Sequence, residues 1–233
     1  VLRYTDVWRD LTERIGFWVD LDAAYVTYHQ SYVESVWWAL SQLFEKGLLY
    51  QGHKVLWWWP QGGTALSSGE VGQGYKTVDD PSVTVRFAVC GEPGTSFLGW
   101  TTTPWTLPSN CALAVHADLD YLYARLGDEV LVVAEALADK LLGEGAYEVV
   151  KRVRGADLVG MSYVPPFDYA TPEGGRGHEV IAADFVTADA GAGIVHVAPA
   201  FGEDDHKAAK EQGIGMLQLV KPDGCFDDRV TDF

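Results

Sequence analysis

Cysteine is scarce. The 233 residues include three, Cys90, Cys111 and Cys225, too scattered and odd in number for a disulfide framework or a zinc cluster, and they read as buried or indifferent thiols. Basic charge is scarce as well: 17 Lys and Arg stand against 33 Asp and Glu, a formal net charge of −16. That balance argues against a chain whose main work is gripping a phosphate backbone, because such a grip comes from Lys and Arg releasing counterions. Positive charge concentrates only in Lys151-Arg152-Val153-Arg154, a run short enough to be a solvated face. Apolar runs such as Val55 to Trp59 fall far short of the ~20 residues a membrane span needs. The opening V-L-R-Y-T-D lacks the basic-then-apolar pattern of a signal peptide. Repeats and low-complexity tracts are absent too. The expectation is a soluble, cytoplasmic, monomeric chain with no membrane partner, and the mid-pattern start at Val1 and end at Phe233 suggest a piece of something longer.

What is present is a composition able to bury a core, at 48% hydrophobic. Tyr4, Trp8, Leu11 and Ile15 recur at helical spacing and predict an opening amphipathic helix. Ser31-Tyr32-Val33-Glu34 reads as a capping box, with Val33, Val36, Leu40 and Phe44 as the stripe of a second helix and Gly47 as its stop. After Pro60 the period changes. Val83, Val85, Phe87 and Val89 alternate with polar or small residues as a half-buried strand. Further short strands are predicted at about 95 to 102, 111 to 115, 120 to 126, 129 to 134, 147 to 153, 178 to 187, 193 to 198 and 216 to 220. Two short helices are predicted, near Ala134 to Leu142 and Glu203 to Gln212. The fold class that follows is α+β, mainly β, with a barrel-like body behind a helical foot at the N-terminus.

Two stretches could carry chemistry. Gly99 to Asn110, G-W-T-T-T-P-W-T-L-P-S-N, holds four threonines, a serine and an asparagine among two tryptophans and two prolines, with no charged residue. Short neutral hydroxyls between indole walls suit a pocket floor; the same residue types also build plain turns. The second stretch runs D-A-G-A-G-I-V-H-V-A-P-A-F-G-E-D-D from Asp189 to Asp205. Gly191 and Gly193 let the backbone turn or approach a ligand, a strand delivers His196, and Pro199 with Gly202 ends it before an acidic helix start. Taken singly, Glu203, Asp204 and Asp205 read as complements to a helix dipole and His196 as a hydrogen-bonded structural residue.

Together these stretches, about 80 residues apart, resemble the editing insertion (connective peptide 1) of isoleucyl-tRNA synthetases. The likeness covers essentially the whole chain and includes the flanks Ile15-Gly16-Phe17-Trp18-Val19-Asp20, Glu45-Lys46-Gly47-Leu48-Leu49-Tyr50 and Thr64-Ala65-Leu66-Ser67. Valyl and leucyl relatives carry arginine in the threonine motif, whereas this chain has Thr103 before Pro104. Neither the H-I-G-H nor the K-M-S-K-S type signature of the synthetic site occurs here, so the chain is not expected to activate an amino acid. On this resemblance, residues 1–80 are the helical segment and base of the insertion, 81–220 the barrel-like editing domain and 221–233 a return segment.

The resemblance implies an aminoacyl-tRNA deacylase. One missing methylene is worth only ~1–3 kcal/mol in an apolar pocket, a limit for which these synthetases are themselves the standard example, so a second sieve is required. The implied substrate is the 3′ end of tRNA(Ile) carrying valine, isoleucine being excluded; the other implied partner is the remainder of the synthetase chain. Thr101, Thr102 and Thr103 resemble the pocket lining for the valyl group and terminal ribose, Trp100 and Trp105 nearby walls, and Asn110 a ligand of the tRNA end or a support of the loop. His196 resembles the residue that limits pocket size; general base is the rival role, since imidazole titrates near neutrality. Asp205, beside Asp204, resembles the carboxylate that pairs with the substrate's α-ammonium, which in a partly dry pocket needs a fixed anion. No nucleophilic triad is recognisable, so direct attack by an oriented water is expected, with hydroxyls and loop N–H groups facing the oxyanion.

Two features depart from the family pattern. Where members often have C-P-x-C-x-T-x-L-S, holding structural zinc, this chain reads W-P-Q-G-G-T-A-L-S from Trp59 to Ser67. With both thiols missing, no metal is expected there, and no cofactor is implied anywhere. Gly191-Ala192-Gly193 replaces a usual G-T-G and removes one hydroxyl beside the pocket. A non-catalytic module that docks the tRNA 3′ end is the alternative function.

Overall fold

The computed structural model describes residues 2–232; Val1 and Phe233, the outer limits of the first and last predicted segments, lie outside them. The chain divides into two compact units between His53 and Lys54.

In the first unit, a 3₁₀ turn at Leu2–Tyr4 leads into α1 (Thr5–Arg14), and α2 spans Gln30–Glu45. Both helices lie where their apolar periodicity predicts, and Gly47 ends α2 as expected: with φ at +68° it lets Gly47 N–H donate to Phe44 O and Leu48 N–H to Leu43 O. The predicted capping box does not form. Residue His29 is the N-cap and has no side-chain cap bond, so Ser31 is already helical. Glu34, which would complete the box, accepts instead from Gln30 Nε2 at 2.7 Å. Val33, Val36, Leu40 and Phe44 are exposed, and no described residue of this unit is buried.

The second unit opens with a hairpin of β1 (Trp58–Trp59) and β2 (Thr64–Ala65), then α3 (Ser68–Gln73). Here a true capping box stands: Ser67 Oγ accepts from Glu70 N–H and the Glu70 carboxylate accepts from Ser67 N–H at 2.7 Å. Eight further strands follow: β3 (Val83–Ala88), β4 (Thr95–Thr101), β5 (Ala112–Val115), β6 (Asp120–Leu126), β7 (Glu129–Ala134), β8 (Glu148–Arg154), β9 (Glu179–Ala182) and β10 (Ile194–Val197). Two helices interrupt them, α4 (Glu135–Leu142) and α5 (Gly155–Leu158), and α6 (Glu203–Gln212) follows β10.

The eight strands form one mixed, curled half-barrel sheet in the order β8-β6-β7-β4-β10-β5-β9, with β3 on β4. Because β3 pairs along β4 from Val83↔Thr101 to Ala88↔Ser96, β4's other edge is shared: β7 takes Thr95 to Phe97 and β10 takes Trp100. The mainly β fold expected from sequence is therefore the one present.

Two apolar cores lie on opposite faces of the β5 region. Leu113 and Val115 join Phe87, Phe97, Tyr121 and Ile194, while Ala112 and Ala114 join Ile181, Val197, Ala209 and Leu219. The period of two along β5 thus serves both faces, which is why its four residues are all buried.

Two predicted strands are shorter or absent. The strand predicted over 178 to 187 is β9 alone, because its partner β5 ends at the Val115↔Ala182 pair and the chain turns at Ala183 to Val186. The segment 216 to 220 makes only isolated bridges. Leu217 and Leu219 are buried there, but Leu219 N–H donates to Ser109 Oγ at 3.1 Å rather than to a strand.

Candidate active site

The threonine loop begins where β4 stops. Past Thr101 the backbone leaves extended geometry at Thr103 (φ −123°, ψ 67°), and Pro104 opens the 3₁₀ turn Pro104–Ser109, a first-turn position where proline's missing N–H costs nothing. The turn brings Thr106 back beneath Thr103, whose carbonyl accepts from Thr106 Oγ1 at 2.8 Å. Thr103 N–H donates to Thr101 Oγ1 at 3.1 Å, and the hydroxyls of Thr101 and Thr103 lie 3.3 Å apart. A hydroxyl ladder results, built by local backbone geometry.

This loop, β10 and the start of α6 enclose a cavity of about 270 Å³. Of the residues singled out from sequence, Trp100, Thr101, Thr102, Thr103, Trp105, His196 and Asp205 line it. Asn110, Gly191, Gly193 and Asp204 do not. Thr106, Val195, Ala198, Phe201 and Gly202 also line it and were not singled out. For Thr106 a signal existed: three residues beyond Thr103, in a turn opened by Pro104, it had to return to the same side. Phe201, which meets Trp105 edge to face with centroids 5.1 Å apart, had none beyond its place next to Gly202.

His196 sits on β10, opposite Leu113, and is 5% exposed. Its Nε2 lies 2.9 Å from Thr106 Oγ1 and its Nδ1 2.8 Å from Asn110 Nδ2. Burial holds its pKa down to about 4, so the ring is neutral at physiological pH. Asn110, itself buried, stands behind His196 rather than in the cavity, held by Ala112 O and the Tyr163 hydroxyl.

Asp205 is the third residue of α6, and its carboxylate turns back to accept from Ala198 N–H at 2.8 Å. Burial raises its pKa, opposed by that hydrogen bond and reinforced by the charge of Asp204. Asp204 itself is exposed in the first helical turn. Gly202 makes the approach of Asp205 sterically available: a Cβ there would fall 2.7 Å from the Asp205 carboxyl carbon.

Gly191 and Gly193 shape the site from outside. Both have positive φ, +67° and +69°, and a Cβ would meet the Trp100 ring at 2.7 Å or Ala134 Cβ at 2.3 Å respectively. They let the chain pass close behind Trp100 and beside the end of β7, where Ala134 N–H donates to Ala192 O at 3.0 Å.

At the β1–β2 hairpin, the residues standing at the two family cysteine positions are Trp59 and Gly62. They touch: a Cβ on Gly62 would lie 2.1 Å from the Trp59 ring. An indole packed on a bare Cα offers no metal ligand, so these residues do not fit zinc. Among the described residues no group of three or more His, Cys, Asp or Glu is arranged to hold a metal.

The chain is 49% identical over 230 residues to the isoleucine–tRNA ligase of Clostridium tetani and 49% identical over 230 residues to that of Bacillus thuringiensis. Each match covers 99% of this chain and 22% of the relative, so the chain spans about a fifth of those proteins. Part of it also superposes on the Plasmodium knowlesi (P.knowlesi) cytosolic leucyl-tRNA synthetase editing domain, at 11% identity and a TM-score of 0.49, over 60% of this chain and 66% of that one. That likeness is too slight to inform the site. The family model for class I tRNA synthetases (I, L, M and V) matches residues 1–200, and the chain belongs to that family.

Proposed function

We propose that this chain is the proofreading part of an isoleucyl-tRNA synthetase, a deacylase that hydrolyses the ester of valyl-tRNA(Ile) and excludes isoleucine. The observation that carries the reading is one cavity lined by a neutral hydroxyl ladder, indole and phenyl walls, and a single half-buried carboxylate, Asp205. A carboxylate whose own pKa is raised by burial gains most when a cation arrives, and the α-ammonium of an esterified amino acid supplies one. The relatives named above are isoleucine–tRNA ligases, which supports tRNA(Ile) as the nucleic acid and isoleucine as the residue to be spared.

In this reading the ammonium docks on Asp205 and the side chain lies against His196 and Val195. The ester carbonyl then faces the threonine ladder, whose hydroxyls and N–H groups orient water and receive the oxyanion. His196 acts as a wall, since Thr106 and Asn110 occupy both its ring nitrogens. Gly191 and Gly193 serve by placing Trp100 and the chain behind it, Asn110 by supporting His196, and Asp204 by tuning Asp205. Replacing His196 with alanine is expected to admit isoleucyl-tRNA.

The test is deacylation of valyl-tRNA(Ile) and isoleucyl-tRNA(Ile) at low salt and high protein concentration, beside an Asp205→Ala control. Loss of valine only, abolished in the control, is the expected result. No cleavage of either ester, here and in a complete synthetase containing this segment, would overturn the deacylase and leave a docking module.

A further inference from the structure

Behind the cavity runs a chain of hydrogen bonds whose direction can be read from its fixed ends. Ala112 O is a carbonyl and can only accept, so the Asn110 atom 2.9 Å from it is the amide nitrogen. That orientation leaves Asn110 Oδ1 facing the Tyr163 hydroxyl at 2.5 Å, which must therefore donate. The second amide hydrogen points at His196 Nδ1, 2.8 Å away, making that nitrogen an acceptor and placing the ring proton on Nε2. Nε2–H then donates to Thr106 Oγ1, whose own hydrogen goes to Thr103 O. Every link from Tyr163 to Thr103 is polarised one way.

We infer that Tyr163 is a positioning residue of this site: acting through Asn110, it holds His196 as the Nε2–H tautomer and so sets the direction of the hydroxyl ladder that lines the cavity. The inference rests on the deacylase reading for its functional consequence. Its structural basis stands on several independent observations. Tyr163 is 2% exposed and lies outside the cavity lining, so it meets no substrate. Its ring is fixed edge to face by Phe87, centroids 5.3 Å apart, and by His178 at 6.0 Å. His178, at φ +57°, also lies with Nε2 3.2 Å from Asn110 O. Backbone bonds on both sides tie Tyr163 down, its N–H donating to His178 O and Val164 N–H to Ala88 O. A phenol so clamped can aim its O–H only at Asn110.

Two consequences follow for the chemistry. The lone pair of His196 that would serve a general base is already spent on Asn110, so the ring shapes the pocket without moving a proton. The Thr103 hydroxyl, 3.5 Å from Thr106 Oγ1 and 3.3 Å from Thr101 Oγ1, is left to turn toward whatever enters the cavity. An amide that rotated, or a ring that changed tautomer, would reverse Thr106 and disorder that hydroxyl.

The experiment reads the ring directly. In protein labelled with ¹⁵N-histidine, His196 is expected to show a proton on Nε2 and a bare Nδ1. Tyr163→Phe keeps the ring packing and removes only the O–H. It is expected to give His196 a mixture of tautomers and to lower kcat for valyl-tRNA(Ile) about 5- to 10-fold, the effect of one lost hydrogen bond, with KM unchanged. Asn110→Asp, which replaces the donor by an acceptor, is expected to move the proton to Nδ1. A proton on Nδ1 in the unsubstituted protein overturns the inference, as does an unchanged tautomer in Tyr163→Phe. The ring signals are read without substrate, so absence of deacylation in the unsubstituted protein would count against the proposed function and not against the assignment of Tyr163.

Discussion

At the scale of single residues, Asp205 and His196 show how burial is used in opposite ways. Asp205 keeps a carboxylate in a half-dry site, where it accepts from Ala198 N–H, and burial raises its pKa. A raised carboxylate pKa means the folded state binds its proton more readily than the unfolded one. Stability is therefore diminished at pH above that raised pKa and recovers as pH falls through it. Asp205→Asn retains the acceptor for Ala198 and removes the charge, so it is expected to raise Tm slightly in the free protein. The same substitution should slow valyl-tRNA(Ile) deacylation by about 10²-fold or more, the usual effect of removing one partner from a buried charge pair. Calorimetry beside single-turnover deacylation checks both, and a lower Tm would show the carboxylate to be structural. His196 has the other sign. Its pKa, about 4, lies below that of a free imidazole, so protons bind the unfolded chain first. Its contribution to stability is fully present above about pH 6.5 and is lost as pH falls toward 4, by up to ~3 kcal/mol. Denaturant titrations of the native protein and His196→Gln between pH 7 and 4 should converge as pH falls, whereas parallel curves would place the ring outside this linkage.

At the scale of elements, periodicity made most strands and all the longer helices legible: Val83 to Val89 alternate as β3 does, and Thr5–Arg14 and Glu203–Gln212 lie where their apolar or acidic patterns put them. What failed depended on partners far along the chain. The run at 216 to 220 has strand-like alternation, yet Met216 pairs only with Glu173 and Leu219 N–H goes to Ser109, more than a hundred residues earlier, and no local pattern reports that. One failure was local: Ser31-x-x-Glu34 and Ser67-x-x-Glu70 are the same motif by sequence, and only the second caps a helix, because α2 already starts at Gln30 and leaves Ser31 inside it. The pocket-facing residues were legible in two ways: unusual composition marked Thr101 to Thr103, and the resemblance to a known family marked His196 and Asp205. Their supports were not: Tyr163 comes from a segment with no strand and no motif. Gly191 and Gly193 were noticed, but sequence alone does not tell a ligand contact from a packing contact. Gly193→Ala tests the difference. At φ +69° with Ala134 Cβ 2.3 Å away, the substitution should cost about 2 kcal/mol or more through strain and overpacking. Urea denaturation should show a lower midpoint. If instead stability is untouched and only deacylation falls, Gly193 contacts substrate after all.

At the scale of the whole molecule, acidity and nucleic acid have to be reconciled. The one basic run, on β8, is already engaged: Lys151 Nζ lies 3.7 Å over the Tyr123 ring, Arg152 pairs with Glu135 at 3.0 Å, and Arg154 pairs with Asp120 at 3.0 Å. The two arginine pairs are exposed and contribute little to stability, but they offset most of the one concentrated run of positive charge on a chain of net −16. A long-range field of that sign repels tRNA rather than steering it. On the proposed function, the cavity takes the esterified end of a tRNA, through one carboxylate and neutral hydroxyls, without the chain holding the tRNA body. On that proposal, affinity for the whole nucleic acid comes from outside this chain, whose matched relatives are about five times its length. The expected outcome is quantitative. Binding of uncharged tRNA(Ile) to this chain should be weak, with a slope of log K against log salt corresponding to only one or two phosphate contacts, where a true phosphate-gripping surface gives six to ten. Fluorescence anisotropy from 20 to 200 mM salt measures it. Tight binding with a steep slope would mean that phosphate contacts reach the tRNA despite the net charge, and the division of labour between a chemical pocket and a separate grip would have to be abandoned.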